Sequence, residues 1–333
     1  DDETLRSAQH GGESFTSEKS DLSRDIRRTP EMPSNETEVK AKNILERLAA
    51  GDLLISDGAT GTYLQQHGLE PGGCPEEFNA SHPEVVQGMA KAYFDAGSDM
   101  VLTNTFGGSR FMQKKYGFEA RVSEFNRLAA SHAKSQVPDS NHYVIGSIGP
   151  TGEFLQPLGE VSDSEMYDAM TQQVTALVEG GADAILLETQ MAIEEAVIGV
   201  KAAKENTDLP VIATMVFDKG PRGFFTMMGV TPERAVTGLR EAGADIVGAN
   251  CGNGIEVMLE LSKQMRAVDD GYMLVHSNAG IPDLVKGEVV YNESPEYMAD
   301  RFNQLVEMGI NIVGGCCGTG PDHIRALSKL LRG

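Results

Sequence analysis

The sequence contains no tryptophan and only four cysteines among 333 residues. It has no apolar run approaching the roughly 18 residues that a membrane-spanning helix needs, and no segment that resembles a signal peptide. It also has no C-x-x-C pair, the spacing typical of structural zinc sites and redox motifs. So few cysteines, without a framework spacing, exclude a disulfide scaffold and fit a reducing compartment. We therefore expect a cytoplasmic protein outside the membrane.

Basic residues are scarce, with 28 Lys and Arg against 49 Asp and Glu, giving a formal net charge of −21. Residues 1–43 contribute −3 of this charge, from ten acids and seven bases, so the remainder carries −18. A body this acidic repels phosphate backbones and anionic lipid. We expect neither nucleic acid nor a membrane surface among its partners, although the charge also serves solubility.

Residues 1–43 are polar, highly charged and almost free of aromatic side chains. This composition predicts a flexible N-terminal extension attached to the folded part. A helix is predicted for Val39–Ala50, ending at a glycine. Residues 44–333 are then expected to form one domain.

Eight short apolar segments recur along that domain, each leading into a loop rich in Gly, Asn or Thr. Almost continuous apolar character is typical of strands buried on both faces. Helical patterns, such as Pro83–Ala96 and Asp163–Glu179, separate most of them. This alternation favours the α/β class and a (β/α)8 TIM barrel. A doubly wound sheet is the alternative, but its G-x-G-x-x-G phosphate turn is not found after the first segment. The segments are Leu53–Asp57, Met100–Phe106, Tyr143–Ile148, Ala184–Glu188, Val211–Phe217, Ile246–Cys251, Met273–Asn278 and Ile310–Cys316.

The joints between helices and strands repeat one pattern, in which a glycine is predicted to end the helix in a left-handed conformation. The chain then turns directly into the next strand. The four joints are Ala96-Gly97-Ser98-Asp99, Gly180-Gly181-Ala182-Asp183, Ala242-Gly243-Ala244-Asp245 and Met308-Gly309-Ile310-Asn311.

Three of the four cysteines end predicted strands, which is where a TIM barrel carries its functional side chains. Cys251 ends the sixth strand, and Cys316 and Cys317 end the eighth, so the two strands flank the seventh. Three thiolates around one metal leave a tetrahedral position open, which suits a catalytic zinc. Buried small cysteines or a vicinal disulfide remain the alternatives.

Six motifs together resemble the zinc-dependent homocysteine S-methyltransferases, and they occur in that family's order from about Leu53 to Leu331. The resemblance implies a TIM-barrel S-methyltransferase in which Cys251, Cys316 and Cys317 hold zinc and act in catalysis through it. The motifs are Asp57-Gly58-Ala59-Thr60-Gly61-Thr62, Thr103-Asn104-Thr105-Phe106, Gly149-Pro150-Thr151-Gly152, Asn250-Cys251, Asn278-Ala279-Gly280 and Gly314-Gly315-Cys316-Cys317-Gly318-Thr319.

The same resemblance implies that homocysteine binds as a zinc-bound thiolate and is methylated to methionine. An aliphatic thiol has a pKa of about 8.5, so most of it is protonated at neutral pH. Coordination to zinc removes that proton. Three cysteine thiolates give the site a net negative charge, which should keep the bound sulfur nucleophilic.

The family positions that contact the substrate can also be followed in this sequence. Asp57 and Glu188 match carboxylates that hold the substrate amine. The structural alternative for Asp57 is an Asx turn or N-cap, and for Glu188 it is a buried ion pair. The turn Gly58-Ala59-Thr60 offers backbone N–H donors for the substrate carboxylate. Asn104 is a further expected contact. Asn278 matches a residue proposed to fill the fourth zinc position without substrate, with a turn-stabilising Asn as the alternative.

The methyl donor separates the branches of the family. A quaternary ammonium donor such as betaine needs an aromatic cage. The family's cage positions fall at Cys74, Gly107 and Thr189 in this sequence, and none of these residues is aromatic. The sequence looks closest to the homocysteine-binding domain of cobalamin-dependent methionine synthase, so methylcobalamin is the expected donor. Because no D-x-H-x-x-G motif is present, we expect the cobalamin on another domain or a corrinoid partner protein. A betaine or sulfonium donor, or a corrinoid demethylase system, is the alternative, with a cage rebuilt from Tyr63, Phe106 or Phe111.

Two isolated residues receive structural interpretations. Cys74, in a Gly-rich loop, is not expected to bind metal. His276 is expected to satisfy a strand end, with a contact to substrate as the alternative. A non-enzymatic metal-binding barrel would leave the polar strand ends unexplained. A barrel lyase using Glu188 or Asp57 as base would be expected to have a strand-end lysine, and none is present.

Overall fold

Eight parallel strands form one sheet in the computed structural model, which describes residues 42–285 and 288–333. The hydrogen-bonded order is β1-β8-β7-β6-β5-β4-β3-β2, and each neighbouring pair is parallel. This is the predicted (β/α)8 TIM barrel, nearly closed between β1 and β2. The strands are β1 (Leu54–Ile55), β2 (Met100–Leu102), β3 (Tyr143–Ile148), β4 (Ala184–Gln190), β5 (Val211–Met215), β6 (Ile246–Asn250), β7 (Met273–Ser277) and β8 (Ile312–Gly315).

Helices alternate with these strands, and two short antiparallel hairpins follow β5 and β7. The hairpins pair Asp218–Gly220 with Gly223–Phe225 and Asp283–Val285 with Glu288–Val290. Single 3-10 turns occupy Pro75–Glu77 and Glu119–Arg121. The helices are α1 (Ile44–Ala49), α2 (Thr60–Gln66), α3 (Phe78–Ser81), α4 (Pro83–Ala96), α5 (Arg110–Lys114), α6 (Val122–Lys134), α7 (Asp163–Glu179), α8 (Ile193–Asn206), α9 (Pro232–Glu241), α10 (Ile255–Arg266), α11 (Pro295–Glu307) and α12 (Pro321–Arg332).

The first helix begins later than predicted. Asn43 caps α1 by accepting a hydrogen bond from Glu46 N at 2.9 Å, and the Glu46 side chain returns one to Asn43 N. This capping box fixes the helix start at Ile44. Of the predicted extension 1–43, only Lys42 and Asn43 lie within the described residues, so the extension stays a prediction. None of the described helices is both long and apolar enough to cross a membrane.

The barrel interior is a compact apolar layer that also receives α1. Ile44 and Leu48 pack in one buried cluster with inward-facing strand residues such as Leu54, Ile212 and Leu274. Helix α1 covers the N-terminal ends of the strands, where these apolar side chains fill the barrel interior. The C-terminal end of the strands is therefore the open end of the barrel, as expected for the functional end.

The glycine joints have the predicted left-handed conformation. Gly97, Gly181, Gly243 and Gly309 have φ values of 103°, 97°, 104° and 85°. Two residues after each glycine, a side-chain oxygen accepts a hydrogen bond from a backbone N–H at the start of the preceding strand. These pairs are Asp99 with Ile55 N (2.7 Å), Asp183 with Val144 N (2.8 Å), Asp245 with Val211 N (2.8 Å) and Asn311 with Met273 N (2.9 Å).

Aspartate side chains also hold the seam between β1 and β2. Asp99 N donates to Ile55 O at 2.7 Å while its carboxylate accepts from Ile55 N. At the other end of the seam, Asp57 Oδ2 accepts from Leu102 N at 2.7 Å. Asp57 is 2 % exposed, and this hydrogen bond links the two strands between which the barrel closes.

The joint aspartates generate a stability prediction at Asp183, which also pairs with Lys134 at 2.7 Å. Asp183→Ala should lower the free energy of unfolding by about 1–3 kcal/mol, because it leaves the Val144 N–H unpaired. Asp183→Asn keeps an acceptor, as Asn311 does naturally, and Lys134→Ala breaks only a half-exposed ion pair. Both should cost less than about 1 kcal/mol in chemical denaturation. Equal losses in all three variants would assign the stability to the ion pair instead.

Candidate metal centre

Three cysteines converge at the open end of the barrel. Cys251 follows β6, Cys316 and Cys317 follow β8, and β7 lies between these two strands. Their sulfur atoms all lie within 4.8 Å of one another, and Cys251 Sγ is 3.8 Å from Cys317 Sγ. All four cysteines are free thiols in the structure.

The sulfur spacing fits a tetrahedral zinc site. Thiolates bound at about 2.3 Å at two corners of a tetrahedron lie about 3.8 Å apart, which matches the Cys251–Cys317 separation. Among the described residues, this is the one group of three such side chains close enough to hold a metal ion. Cys74 lies outside it, buried beside Glu76 and Gln113. Three protein thiolates leave one coordination position for another ligand.

The three thiols influence one another's protonation. Contacts with the Cys316 and Cys317 thiols lower the pKa of Cys251. Contact with Cys251 in turn raises the pKa of Cys316 and raises that of Cys317 to about 11. Without metal the cluster therefore holds one thiolate, stabilised by two thiols.

Two asparagines orient the cysteine loops. Asn278 Oδ1 accepts a hydrogen bond from Cys317 N at 3.1 Å, which is a turn-stabilising contact. Asn250 Oδ1 accepts from Thr189 N and from Thr214 Oγ1 at 2.8 and 2.7 Å, and its Nδ2 donates to Thr189 Oγ1 at 2.7 Å. Cys251 and Thr189 have positive φ values of 65° and 57°, which non-glycine residues rarely adopt. Such backbone strain concentrates at functional sites.

A cavity of about 320 Å³ opens over the cysteines. Many of the predicted site residues border it, but the Asp57 carboxylate lies behind Gly58 on the β1–β2 seam. No lysine or arginine borders this cavity within the described chain. The predicted residues on its wall are Gly58, Ala59, Thr60, Asn104, Glu188, Cys251, Cys316 and Cys317.

Two buried carboxyl groups lie on the side of β1 and β4. Burial raises the pKa of Glu188 to about 7, against a hydrogen bond donated by Ser147 Oγ that lowers it. Burial also raises the pKa of Asp57 to about 7, with a further contribution from the Glu188 charge. Neither acid contacts a cationic side chain among the described residues. A ligand carrying a positive charge would supply the missing counter-ion.

The turn after β1 is shaped by close packing. A Cβ on Gly58 would lie 2.7 Å from Thr319 Oγ1, so the backbone there approaches the last loop too closely for a side chain. Ala59 N donates to Thr319 O at 3.1 Å and is already satisfied. No side chain of the N-cap residue Ala59 bonds the helix that follows, and its first residues, Thr60, Gly61 and Thr62, border the cavity.

The amide nitrogen of Asn104 is held by the protein, whereas its Oδ1 accepts no hydrogen bond among the described residues, so the predicted substrate contact stays a prediction. Its Nδ2 donates to Pro75 O at 2.7 Å and to Asn79 Oδ1 at 2.9 Å. The amide therefore ties the end of β2 to the loop that carries Cys74, with the rest of the side chain on the cavity wall.

Aromatic side chains border the outer part of the cavity. Phe106 and Tyr116 lie there with Met112 and the buried carboxyl of Glu76. Tyr63 instead stacks on His67 with ring centroids 4.1 Å apart, and Phe111 packs against the main core. Of the three aromatics considered for a rebuilt cage, only Phe106 reaches the cavity.

Comparison with known proteins agrees with this arrangement. Residues 54–331 match the homocysteine S-methyltransferase family. The chain belongs to that family. The match runs from the first strand of the barrel to its last helix and includes every cysteine of the candidate metal centre.

Mycobacterial methionine synthases are among the related sequences. The Mycobacterium leprae protein is 32% identical over 309 residues, covering 86% of this chain and 25% of that protein. The Mycobacterium tuberculosis protein is 32% identical over 295 residues, covering 83% of this chain and 24% of that protein. The chain thus spans about a quarter of the length of these relatives.

A solved structure shares the fold. The metallated form of the homocysteine methyltransferase MmuM from Escherichia coli superposes with a TM-score of 0.70 at 20% identity, covering 85% of this chain and 97% of that one. This similarity supports the barrel assignment.

Four residues beside the centre were not predicted as site residues. Ser147 and Glu76 border the cavity, and Tyr291 lies beside Cys317, where burial raises its pKa to about 12. His276 also borders the cavity, and burial lowers its pKa to about 3, so the imidazole is neutral. The prediction that His276 satisfies a strand end is not supported by its side chain, because its Nε2 has no partner among the described residues. A polar residue inside an otherwise apolar strand, as at Ser147 and His276, was the available signal.

Metal titration of single cysteine variants tests the cluster. Cys251→Ser, Cys316→Ser and Cys317→Ser should each lose most zinc binding, because a hydroxyl does not replace a thiolate ligand at neutral pH. Cys74→Ser should bind one zinc per chain like the wild type, as measured by elemental analysis after dialysis. Full retention of zinc in Cys251→Ser would contradict the assignment.

The pH dependence of metal binding follows from the shifted thiol pKa values. Cys251 is already a thiolate, whereas Cys316 and Cys317 keep their protons through neutral pH because their pKa values are raised. Metal must displace those protons, so its affinity rises with pH until the pH passes their pKa values. Between neutral and mildly alkaline pH, the apparent affinity should rise roughly a hundredfold per pH unit, consistent with two protons. A chelator competition series measures this slope, and a flat profile would contradict the protonation assignment.

Proposed function

We propose that this protein is a zinc-dependent methyltransferase that binds homocysteine and methylates its sulfur to give methionine. The observation that carries the proposal is the three-thiol cluster, with sulfur spacing suited to zinc, on the wall of a small cavity that also contains a buried carboxyl. Cys251, Cys316 and Cys317 would hold the metal. Zinc bound there would act as a Lewis acid that removes the proton from a coordinated thiol.

The protein's own residues supply recognition of the amino-acid part of the substrate. The Glu188 carboxyl on the cavity wall, with Asp57 behind it, is suited to an ammonium group, since neither acid has a cationic partner within the described chain. Because no lysine or arginine of the described chain borders the cavity, the substrate carboxylate needs neutral donors. The uncapped amides at the start of α2, around Thr60, are suited to that role. Asn278 Oδ1 accepts a hydrogen bond from Cys317 N and keeps a second lone pair, with which it could serve as a fourth metal ligand.

The surface around the cavity supports a donor carried by a macromolecule. Of the twelve exposed large apolar side chains among the described residues, ten lie in segments that follow barrel strands at the open end. Exposed apolar patches of this kind mark interaction surfaces. We infer that these ten side chains form a rim to which a corrinoid protein or cobalamin domain binds, bringing methylcobalamin to the cavity. This reaction would take place in the cytoplasm. The ten are Phe106, Tyr116, Phe154, Leu158, Met227, Met228, Ile281, Leu284, Val289 and Val290.

A second donor class is favoured by one observation. Phe106, Tyr116, Met112 and Glu76 border the same part of the cavity. Aromatic faces and a carboxyl together attract a methylated cation such as a sulfonium or a quaternary ammonium. A cationic donor is therefore the alternative to methylcobalamin.

Calorimetric titration with homocysteine tests the thiol substrate. The zinc-loaded protein should bind homocysteine and release a proton, whereas the metal-free protein should bind it at least tenfold more weakly. Glu188→Gln should weaken binding about 10- to 100-fold, the loss expected for a hydrogen-bonded charge, and should retain zinc. In the wild type, affinity should also fall below about pH 7 as Glu188 becomes protonated, because its folded pKa is raised to about 7. Equal affinity with and without zinc would contradict the function.

A donor comparison separates the two classes. Methylcobalamin, free or on a partner protein, should support methionine formation, while betaine and S-methylmethionine should support little. Phe106→Ala should lower turnover of a cationic donor far more than turnover of free methylcobalamin, because it removes an aromatic face from the cavity. Robust turnover with a cationic donor and none with methylcobalamin would establish the alternative.

A further inference from the structure

His276 is a buried side chain at the candidate site that has an unpaired hydrogen-bonding atom. It is 1 % exposed, and its Nε2 has no hydrogen-bond partner among the described residues. Whichever nitrogen carries the proton, Nε2 is left as either an unpaired donor or an unpaired acceptor. Leaving such an atom unpaired costs stability, so each native case calls for an explanation.

The location of this atom separates it from the other unpaired ones. Six buried side-chain polar atoms of the described chain lack a partner, and only His276 Nε2 belongs to a residue that borders the cavity. The imidazole therefore borders the cavity, but Nε2 itself has less than 1 Å² of exposed surface, so a ligand would reach it only after a small rotation of the ring.

Strand register places His276 between the metal-binding strands. His276 pairs with Asn250 on β6, directly before Cys251, and with Gly314 on β8, two residues before Cys316. Cys251 N also donates to His276 O at 3.1 Å. A Cβ at Gly314 would lie 3.0 Å from His276 Cδ2, so the glycine provides room for the ring. The side chain is thus on the cysteine side of the cavity.

We propose that His276 Nε2 donates a hydrogen bond to the sulfur of the thiol substrate. The inference rests on the proposed function, because it requires a thiol beside Cys251, Cys316 and Cys317. A sulfur that has lost its proton is purely an acceptor, which matches an unpaired N–H. The amino-acid head group is a less suitable partner, since its proposed contacts are on β1 and β4. The bond would fix the direction of one sulfur lone pair and leave the others towards the open end of the barrel.

Two thiols that share the sulfur and its alkyl chain, but of which only one has an amino-acid head group, separate these contacts. Homocysteine and propane-1-thiol are titrated into zinc-loaded wild type, His276→Leu and His276→Gln, with zinc content and thermal unfolding measured for each variant. His276→Leu should weaken both thiols by a similar factor, roughly tenfold or more, as expected for a hydrogen bond to a charged group. His276→Gln should recover part of that loss, since its amide offers an N–H at similar reach.

Val275→Ala provides the matched control on the same strand. Val275 packs in the outer core, away from the barrel interior, so its truncation should lower stability without changing either thiol affinity. If His276→Gln and His276→Leu both bind propane-1-thiol like the wild type, the proposal is wrong, whatever happens to homocysteine. If the zinc-loaded wild type binds neither thiol, the proposed function fails instead.

Discussion

The register of β6, β7 and β8 is the constraint on which the candidate centre depends. Parallel strands in a barrel end at the same edge, so side chains that follow β6 and β8 meet above the end of β7. Cys251 and Cys317 are 66 positions apart in the chain, yet their sulfurs lie 3.8 Å apart. A shift of one residue in either strand would turn a thiol to the opposite face. The glycine joints and their Asp or Asn acceptors begin several of these strands at defined positions and so help to fix that register.

The cavity is lined by acidic groups and has no cationic side chain of the described chain on its wall. Its wall has three thiols and the Glu188 carboxyl, and no lysine or arginine of the described chain borders it. Burial raises the pKa values of Glu188 and Asp57 to about 7, so a nearby positive charge would favour their ionised forms. Such a site favours ligands that bring positive charge, a divalent metal beside the thiols and an ammonium group beside the acids. The same preference explains why a cationic methyl donor is the serious competitor to methylcobalamin.

The sequence allowed the barrel, the cysteine triad and several element bounds to be predicted. Tyr143–Ile148, Pro83–Ala96 and Asp163–Glu179 have the predicted bounds because burial pattern, proline and capping residues all agree there. The roles of individual polar side chains could not be predicted to the same depth. Asp57 bonds Leu102 N across the seam, which depends on how β1 and β2 meet. His276 and Ser147 lie in apolar strands, and only the three-dimensional neighbours show that one is unpaired and the other bonds Glu188.

Zinc-edge X-ray absorption on the purified protein tests the central claim most directly, because it counts sulfur ligands without depending on the methyl donor. Before substrate, the account predicts three sulfurs and one lighter oxygen or nitrogen neighbour around the metal. Saturating homocysteine should replace the lighter neighbour with a fourth sulfur at about 2.3 Å. Four sulfurs before homocysteine is added, or an unchanged spectrum afterwards, would contradict a three-cysteine centre with a position open to the substrate thiol.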